Sequence, residues 1–276
     1  MTARALLIVL LAAAAWAETP DDLRALVRQS LARLEASDKK AMDYGFVRRV
    51  ERKEFVSGGK IKSQSSLVLK RELEDGFMVT RPIERDGKPL PEEERRKNEE
   101  TLQKRLAELK ALTPEQLEQR RAENRKREGD EDAWLKEFPE ALDYQLAGEE
   151  TIDGRPAVIL DCTPRKGYRA RNMRARIFEK VRGRVWIDKA ESELVKAEAE
   201  VFDTVSIAFG LVGKIEKGTR FFIQRKRVGS ETWLPEAEAV RFAARVMLFK
   251  SINNEVTTRN AEFRHRSELA ARAPAP

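Results

Sequence analysis

One histidine and one cysteine stand in a chain of 276 residues. A single cysteine, Cys162, rules out an internal disulfide, and its place deep in the chain bars it from being the acylated first residue of a lipoprotein. The lone histidine, His265, lies between Arg264 and Arg266. Nucleophilic hydrolysis needs a histidine beside its serine or cysteine, and two flanking cations disfavour a charged imidazole. His265 therefore reads as a surface residue of a strand. One His and one Cys also fall short of a zinc ligand set, and no Gly-rich phosphate loop occurs. We expect no metal, no cofactor and no catalytic residue. The 47 acids are numerous enough that composition leaves a facing carboxylate pair open, but many of them lie in solvated helical stretches. No apolar run reaches the roughly 20 residues of a membrane span.

Charge and alternation are what the chain has. Hydrophobic residues make up 41% and charged residues 37%, too apolar a mixture for disorder. A net charge of +7 and a pI near 9.5 admit an anionic partner as well as plain solubility. Residues 1–17 read as a secretory signal: Arg4, an apolar run over 5–15, and Ala15-Trp16-Ala17 as an A-x-A cleavage site. Export across an inner membrane into a periplasm is the expectation, with 18–268 as one domain.

The alternation is clearest at 181–199, VRGRVWIDKAESELVKAEA. Val181, Gly183, Val185 and Ile187 share one side of a strand, and Arg182, Arg184, Trp186 and Asp188 the other. Residues 189–192 break the pattern and Leu194-Val195 resume it. Trp186 is expected to be buried under a helix or the curl of the sheet.

Thr19 as N-cap, Pro20 and two acids start a helix, along which Leu23, Leu26, Val27, Leu31 and Leu34 form an apolar stripe over about 21–36. From residue 42 the period becomes two, with strands over 44–56, 61–73 and 77–84. Gly58-Gly59 and Asp75-Gly76 are the turns between them, and Asp86-Gly87 closes the piece. Residues 91–140 are a charged helical insertion, broken at Thr113-Pro114. Its 91–131 stretch holds 11 bases and 12 acids, interleaved. That pattern favours a solvated helix laced with i,i+4 pairs over a partner-binding or nucleic-acid helix. Trp134, Leu135 and Phe138 offer an edge to dock it.

Strands resume at Tyr144, turn at Asp153-Gly154, and at 157–160 become continuously apolar, as in a strand covered on both faces. The segment 165–176 carries Arg165, Lys166, Arg169, Arg171, Arg174 and Arg176 and no acid; it is a candidate for an anionic membrane surface. After 201–207 comes a flexible loop or short helix at 208–213. Strands at 219–228, 233–250 and 255–267 follow, then a frayed tail at 269–276. Val240, Phe242, Val246 and Leu248 share one strand face. The fold class is thus α+β, mainly β, with about ten or eleven antiparallel strands.

Gly183-Arg184-Val185-Trp186-Ile187-Asp188, with Lys217-Gly218 and Trp233-Leu234-Pro235, resembles the outer-membrane lipoprotein-sorting family of the LolA carrier, the LolB receptor and the RseB sensor. The resemblance implies a half-open β-barrel, a curved antiparallel sheet with helices on its apolar concave face, where acyl chains or a partner bind. Two functions follow as expectations. One is a non-enzymatic carrier of a lipid or an acylated protein, with Leu23, Leu26, Val27, Leu31 and Leu34 as the lid of a groove and Val240, Phe242, Val246 and Leu248 as its floor. The other is an envelope interaction or sensor protein whose groove is filled by its own helix.

Overall fold

The computed structural model describes residues 19–56, 58–207, 213–229, 232–246 and 250–272. The signal expected at 1–17, residues 208–212 of the expected loop, Leu248 and the last four residues of the tail lie outside them, as does the side chain of Val246.

The first helix, α1 (Pro20–Ala41), starts as the sequence dictates: Thr19 Oγ1 accepts from the Asp22 amide at 3.2 Å. It runs beyond residue 36 because Ser37 and Asp38 find polar partners on the sheet. A meander follows, β1 (Tyr44–Phe55), β2 (Ile61–Glu74), β3 (Phe77–Arg85) and the short β4 (Lys88–Pro89). At Asp75-Gly76 and Asp153-Gly154 both turn residues have positive φ, the geometry that matches a hairpin's twist and that Asp-Gly tolerates.

The insertion forms α2 (Glu92–Lys110), α3 (Pro114–Asp132), a 3-10 turn (Ala133–Glu137) and α4 (Phe138–Ala141). Thr113 and Gln116 close a reciprocal capping box on α3. α2 buries Leu106 and is also pinned to the meander by charge. Arg81 of β3 donates to Glu99 of α2 at 2.9 and 3.1 Å and also meets Glu72 and Glu74, while Arg85–Glu94 and Lys110–Asp75 close at 2.6 Å. The Arg81 and Gln103 hydrogen bonds hold the Glu99 carboxyl down at about 2.

The second half runs β5 (Leu142–Ile152), β6 (Arg155–Pro164), a 3-10 helix (Arg174–Glu179), β7 (Val181–Asp188), β8 (Leu194–Val201), β9 (Val205–Ile207), β10 (Gly213–Ile215), β11 (Arg220–Val228), β12 (Thr232–Val246) and β13 (Lys250–His265). The last strand stops at His265. Arg266–Arg272, expected as strand and tail, is instead the helix α5, begun where the Arg266 amide turns to the Asp43 carbonyl at 2.8 Å.

Among the described residues the strands form one 13-stranded antiparallel sheet, in the order β4-β3-β2-β1-β13-β12-β11-β8-β7-β6-β5, with β10 on β12 and β9 on β10. It does not close. Ten strands are long, and three of two or three residues account for the excess over the expected number. Neighbours β1 and β13 come from opposite ends of the chain, so the sheet ties its termini together.

Residue parity sorts the core. On one face Val185 and Ile187 join Leu142, Tyr144, Val158, Leu160 and Phe178 beneath Leu23, Leu26 and Val27 of α1, and Trp134, Leu135 and Phe138 pack against this cluster. On the other face Trp186 packs with Ala157, Val195 and Trp233. So 157–160 is covered on both faces, as its apolar run implies. Among the described residues no helix contributes to the Trp186 cluster. Its cover is charged: Lys196 Nζ lies 4.1 Å from the ring centroid, and Nε1 donates to Glu150 at 2.6 Å.

A candidate ligand-binding groove

α1 fills one half of its sheet face. It packs on β5, β8 and β12. Arg24, 7% exposed, meets Asp21 at 2.8 Å and Asp143 at 3.6 Å, and Arg28 meets Glu140 at 2.6 Å. At the far end Arg225 of β11 donates to Asp38 at 2.9 Å and to the Trp233 carbonyl at 2.7 Å. Glu193 lies beside it, 2% exposed. Burial raises its pKa against the pull of a Ser37 hydrogen bond and of Arg225, 3.7 Å away.

α1 reaches β12 at its C-terminal end, and the sheet face on which it lies continues past it. Ala197 and Ala199 of β8 touch the α1 cluster, and their partners carry the face onward. From Ala199 the row runs through Phe221, Val240 and Val256. From Ala197 it runs through Ile223, Glu238, Thr258 and Val50 to Leu67. Phe46, Val50, Leu67, Leu69, Phe221, Val240 and Phe242 are each half-buried. α2 sits over Arg81, on the opposite face.

The expected groove residues therefore divide. Leu23, Leu26 and Val27 are buried in the α1 cluster with β5–β7, and Leu31 and Leu34 are half-buried. Val240 and Phe242 lie on the open continuation and are not members of that cluster.

Where α1 ends, the open face deepens into a cavity of about 180 Å³ lined by Phe46, Leu69, Leu234, Pro235 and Phe263 and by Arg48 and Arg71. Both arginines lie over the Phe46 ring, at 4.9 and 5.7 Å from its centroid. Arg48 Nε donates to Asn260 Oδ1 at 2.8 Å, and Arg71 donates to the Met42 carbonyl at 2.8 Å. Burial and then the charge of Arg48 lower the Arg71 pKa, while Asp43 pulls the other way. Sequence reasoning missed this pair. The available signal was parity: Arg48 falls between Phe46 and Val50 on one face of β1. A larger hollow of about 900 Å³ between β3 and α2 is open and walled mostly by charged side chains.

The basic segment is anchored, and its charges face outward. Tyr168, Ala170, Ala175 and Phe178 belong to or pack on the α1 cluster. Glu137 accepts from Tyr168 Oη at 2.6 Å, from the Arg171 amide at 3.0 Å and from Asn172 at 2.9 Å. Arg165, Lys166, Arg169, Arg171, Arg174 and Arg176 are all exposed. Arg165 is shared with Glu140 at 3.7 Å.

Cys162 is 3% exposed, and burial, with Asp161 nearby, pushes its thiol up to about 12. His265 packs edge-on to Tyr44, its Nδ1 2.8 Å from Ser267 Oγ. Among the described residues no group of three or more His, Cys, Asp or Glu is placed to hold a metal, and no helix is long and apolar enough to cross a membrane.

No family model and no curated protein matches the chain. Solved structures do, and the likeness to lipoprotein-sorting proteins recurs among them. A DUF1329 family protein from Desulfovibrio piger is 12% identical over 88% of this chain and 92% of its own, with a TM-score of 0.32. A LolA superfamily protein from Nitrosomonas europaea is 14% identical over 86% and 93%, at 0.27. The Mycobacterium tuberculosis lipoprotein LppX is 10% identical over 89% and 96%, at 0.29.

Proposed function

We propose that this protein is an exported, non-enzymatic carrier that holds an acyl chain of a lipid or an acylated protein on the open half of its α1-covered sheet face. The observation that carries the reading is the register of the open face. Phe46, Val50, Leu67, Leu69, Phe221, Val240 and Phe242 are aligned there, each left half-buried. Each methylene buried there would contribute about 0.8 kcal/mol. The outward bases of 165–176 suit delivery to an anionic membrane, where each is worth about 1 kcal/mol close to the surface.

The second reading is an interaction protein with a filled groove. What favours it is that α1 already occupies the β5–β8 half with Leu23, Leu26 and Val27. Native mass spectrometry of gently purified protein separates the two. A carrier shows a population heavier by one lipid or acyl group, which detergent strips away; a single apo mass under every gentle condition favours the filled groove.

A further inference from the structure

The cavity at the end of α1 brings two arginines together at one end of the open face. Among the described residues, neither Arg48 nor Arg71 has a carboxylate within salt-bridge distance. The nearby Asp43 is bound to Arg266 at 3.1 Å. Arg71 Nε is buried and lacks a hydrogen-bond partner among the described residues. Such a group costs stability when left unmet. Two like charges gathered over one phenyl ring repel each other at short range, and burial strengthens that repulsion. Asn260, 3% exposed, fixes Arg48 by accepting from its Nε while giving its own amide to the Pro235 carbonyl at 2.8 Å, so the guanidinium is held in place.

This arrangement is complete only with an anion. Guanidinium groups present planar forks of donors that match phosphate oxygens. The cavity, about 180 Å³, is several times the ~30 Å³ that one water takes in the liquid. Apart from Tyr44, Thr80 and Asn260 the rest of its wall is apolar, and register leads it onward. Phe46 pairs with Arg71, Arg48 with Leu69, and Val50 with Leu67. The apolar strip thus begins at the charged end and runs about 14 Å along the strands, four residues at ~3.4 Å each.

We propose that Arg48 and Arg71 bind the phosphate of an anionic acyl lipid, whose chain lies along Leu69, Val50 and Leu67. This rests on the carrier reading and names its ligand class. The pair gives the groove a polarity, with the headgroup at the end of α1 and the chain directed toward the Ile61 end of β2.

The test compares two probes with the same single acyl chain, lysophosphatidic acid and the neutral monoacylglycerol, with inorganic phosphate as a third arm. Titrations use the purified protein, Arg48→Gln, Arg71→Gln and Arg71→Lys. The phosphate lipid should bind about tenfold or more tightly than the neutral one, the scale of a charge-assisted hydrogen bond. Either Gln variant should erase that ratio, and Arg71→Lys should retain part of it. In the unmodified protein the ratio should also shrink toward ~1 M salt, where the Debye length falls to about 3 Å. That measurement stands even if a variant fails to fold. Equal affinity for both lipids overturns the headgroup site and leaves the carrier reading intact. Binding of neither lipid overturns both. Phosphate binding alone, lost in Arg71→Gln, places a free-anion site there and overturns the lipid.

Discussion

Replacing Trp186 by alanine should destabilise the protein by about 3–5 kcal/mol. The side chain is 3% exposed, packed on Ala157, Val195 and Trp233. A buried aromatic of its size removes roughly 150–250 Å² from water, worth about 4–6 kcal/mol at ~25 cal/mol per Å². Residual burial in the unfolded chain trims that by some 10–40%. Lys196 over the ring adds about 0.5–1 kcal/mol. Glu150, which accepts the indole N–H hydrogen bond, is exposed, so freeing it costs little. Trp186→Phe should therefore lose only about 1 kcal/mol, since it keeps the ring against the cluster and forfeits one hydrogen bond. Urea melts of both variants, fitted with a common slope, give the two values. A Trp186→Ala cost below about 1 kcal/mol would mean that the charged roof does not seal the site. A Trp186→Phe loss as large as that of alanine would shift the weight from packing to the Glu150 bond.

Gly183→Ala should cost about 1–3 kcal/mol as overpacking, because its new Cβ would strike the Glu198 carbonyl and lie 3.0 Å from Ala199 Cα; an unchanged urea midpoint would contradict it. Glu193 should work against stability as pH rises. Its folded pKa is raised by burial, so its contribution is whole below the ordinary glutamate value and is lost as pH climbs through the raised one. Glu193→Gln should therefore gain on the unmodified protein from pH 4 toward 7 at a scale of about 1.4 kcal/mol per pKa unit, and a gain toward acid would reverse the assignment. Changing Arg169, Arg171 and Arg174 together to Glu should abolish binding to anionic vesicles that is steeply salt-dependent in the parent; binding indifferent to salt would refute a role for those charges.

Much of the scaffold was legible because its signals are local. Thr19-Pro20 and Thr113-Pro114 cap helices, Asp-Gly pairs turn hairpins, and parity at 181–188 sends Val185 and Ile187 to one cluster and Trp186 to another. Strand order was not legible from any one segment, since β1 meets β13 across the whole chain. Asp188 shows the limit within a motif. Its alternation gives a face, but not that it is 1% exposed, clamped by Arg155 at 2.7 and 2.9 Å and by the amides of Ala190 and Glu191. Burial raises its pKa, and those hydrogen bonds outweigh burial and hold it low. The Arg48–Arg71 cavity needed the register of β1 on β2, which one strand cannot disclose.

The central claim is that an acyl chain lies on the open half of the face whose other half α1 fills. Amide hydrogen exchange, with and without a single-chain lipid, tests it directly. The account predicts slowed exchange in β1, β2, β12 and the last turn of α1, with β5–β7 beneath Leu23, Leu26 and Val27 unchanged. An exchange pattern indifferent to every lipid, or protection confined to β5–β7, would contradict it.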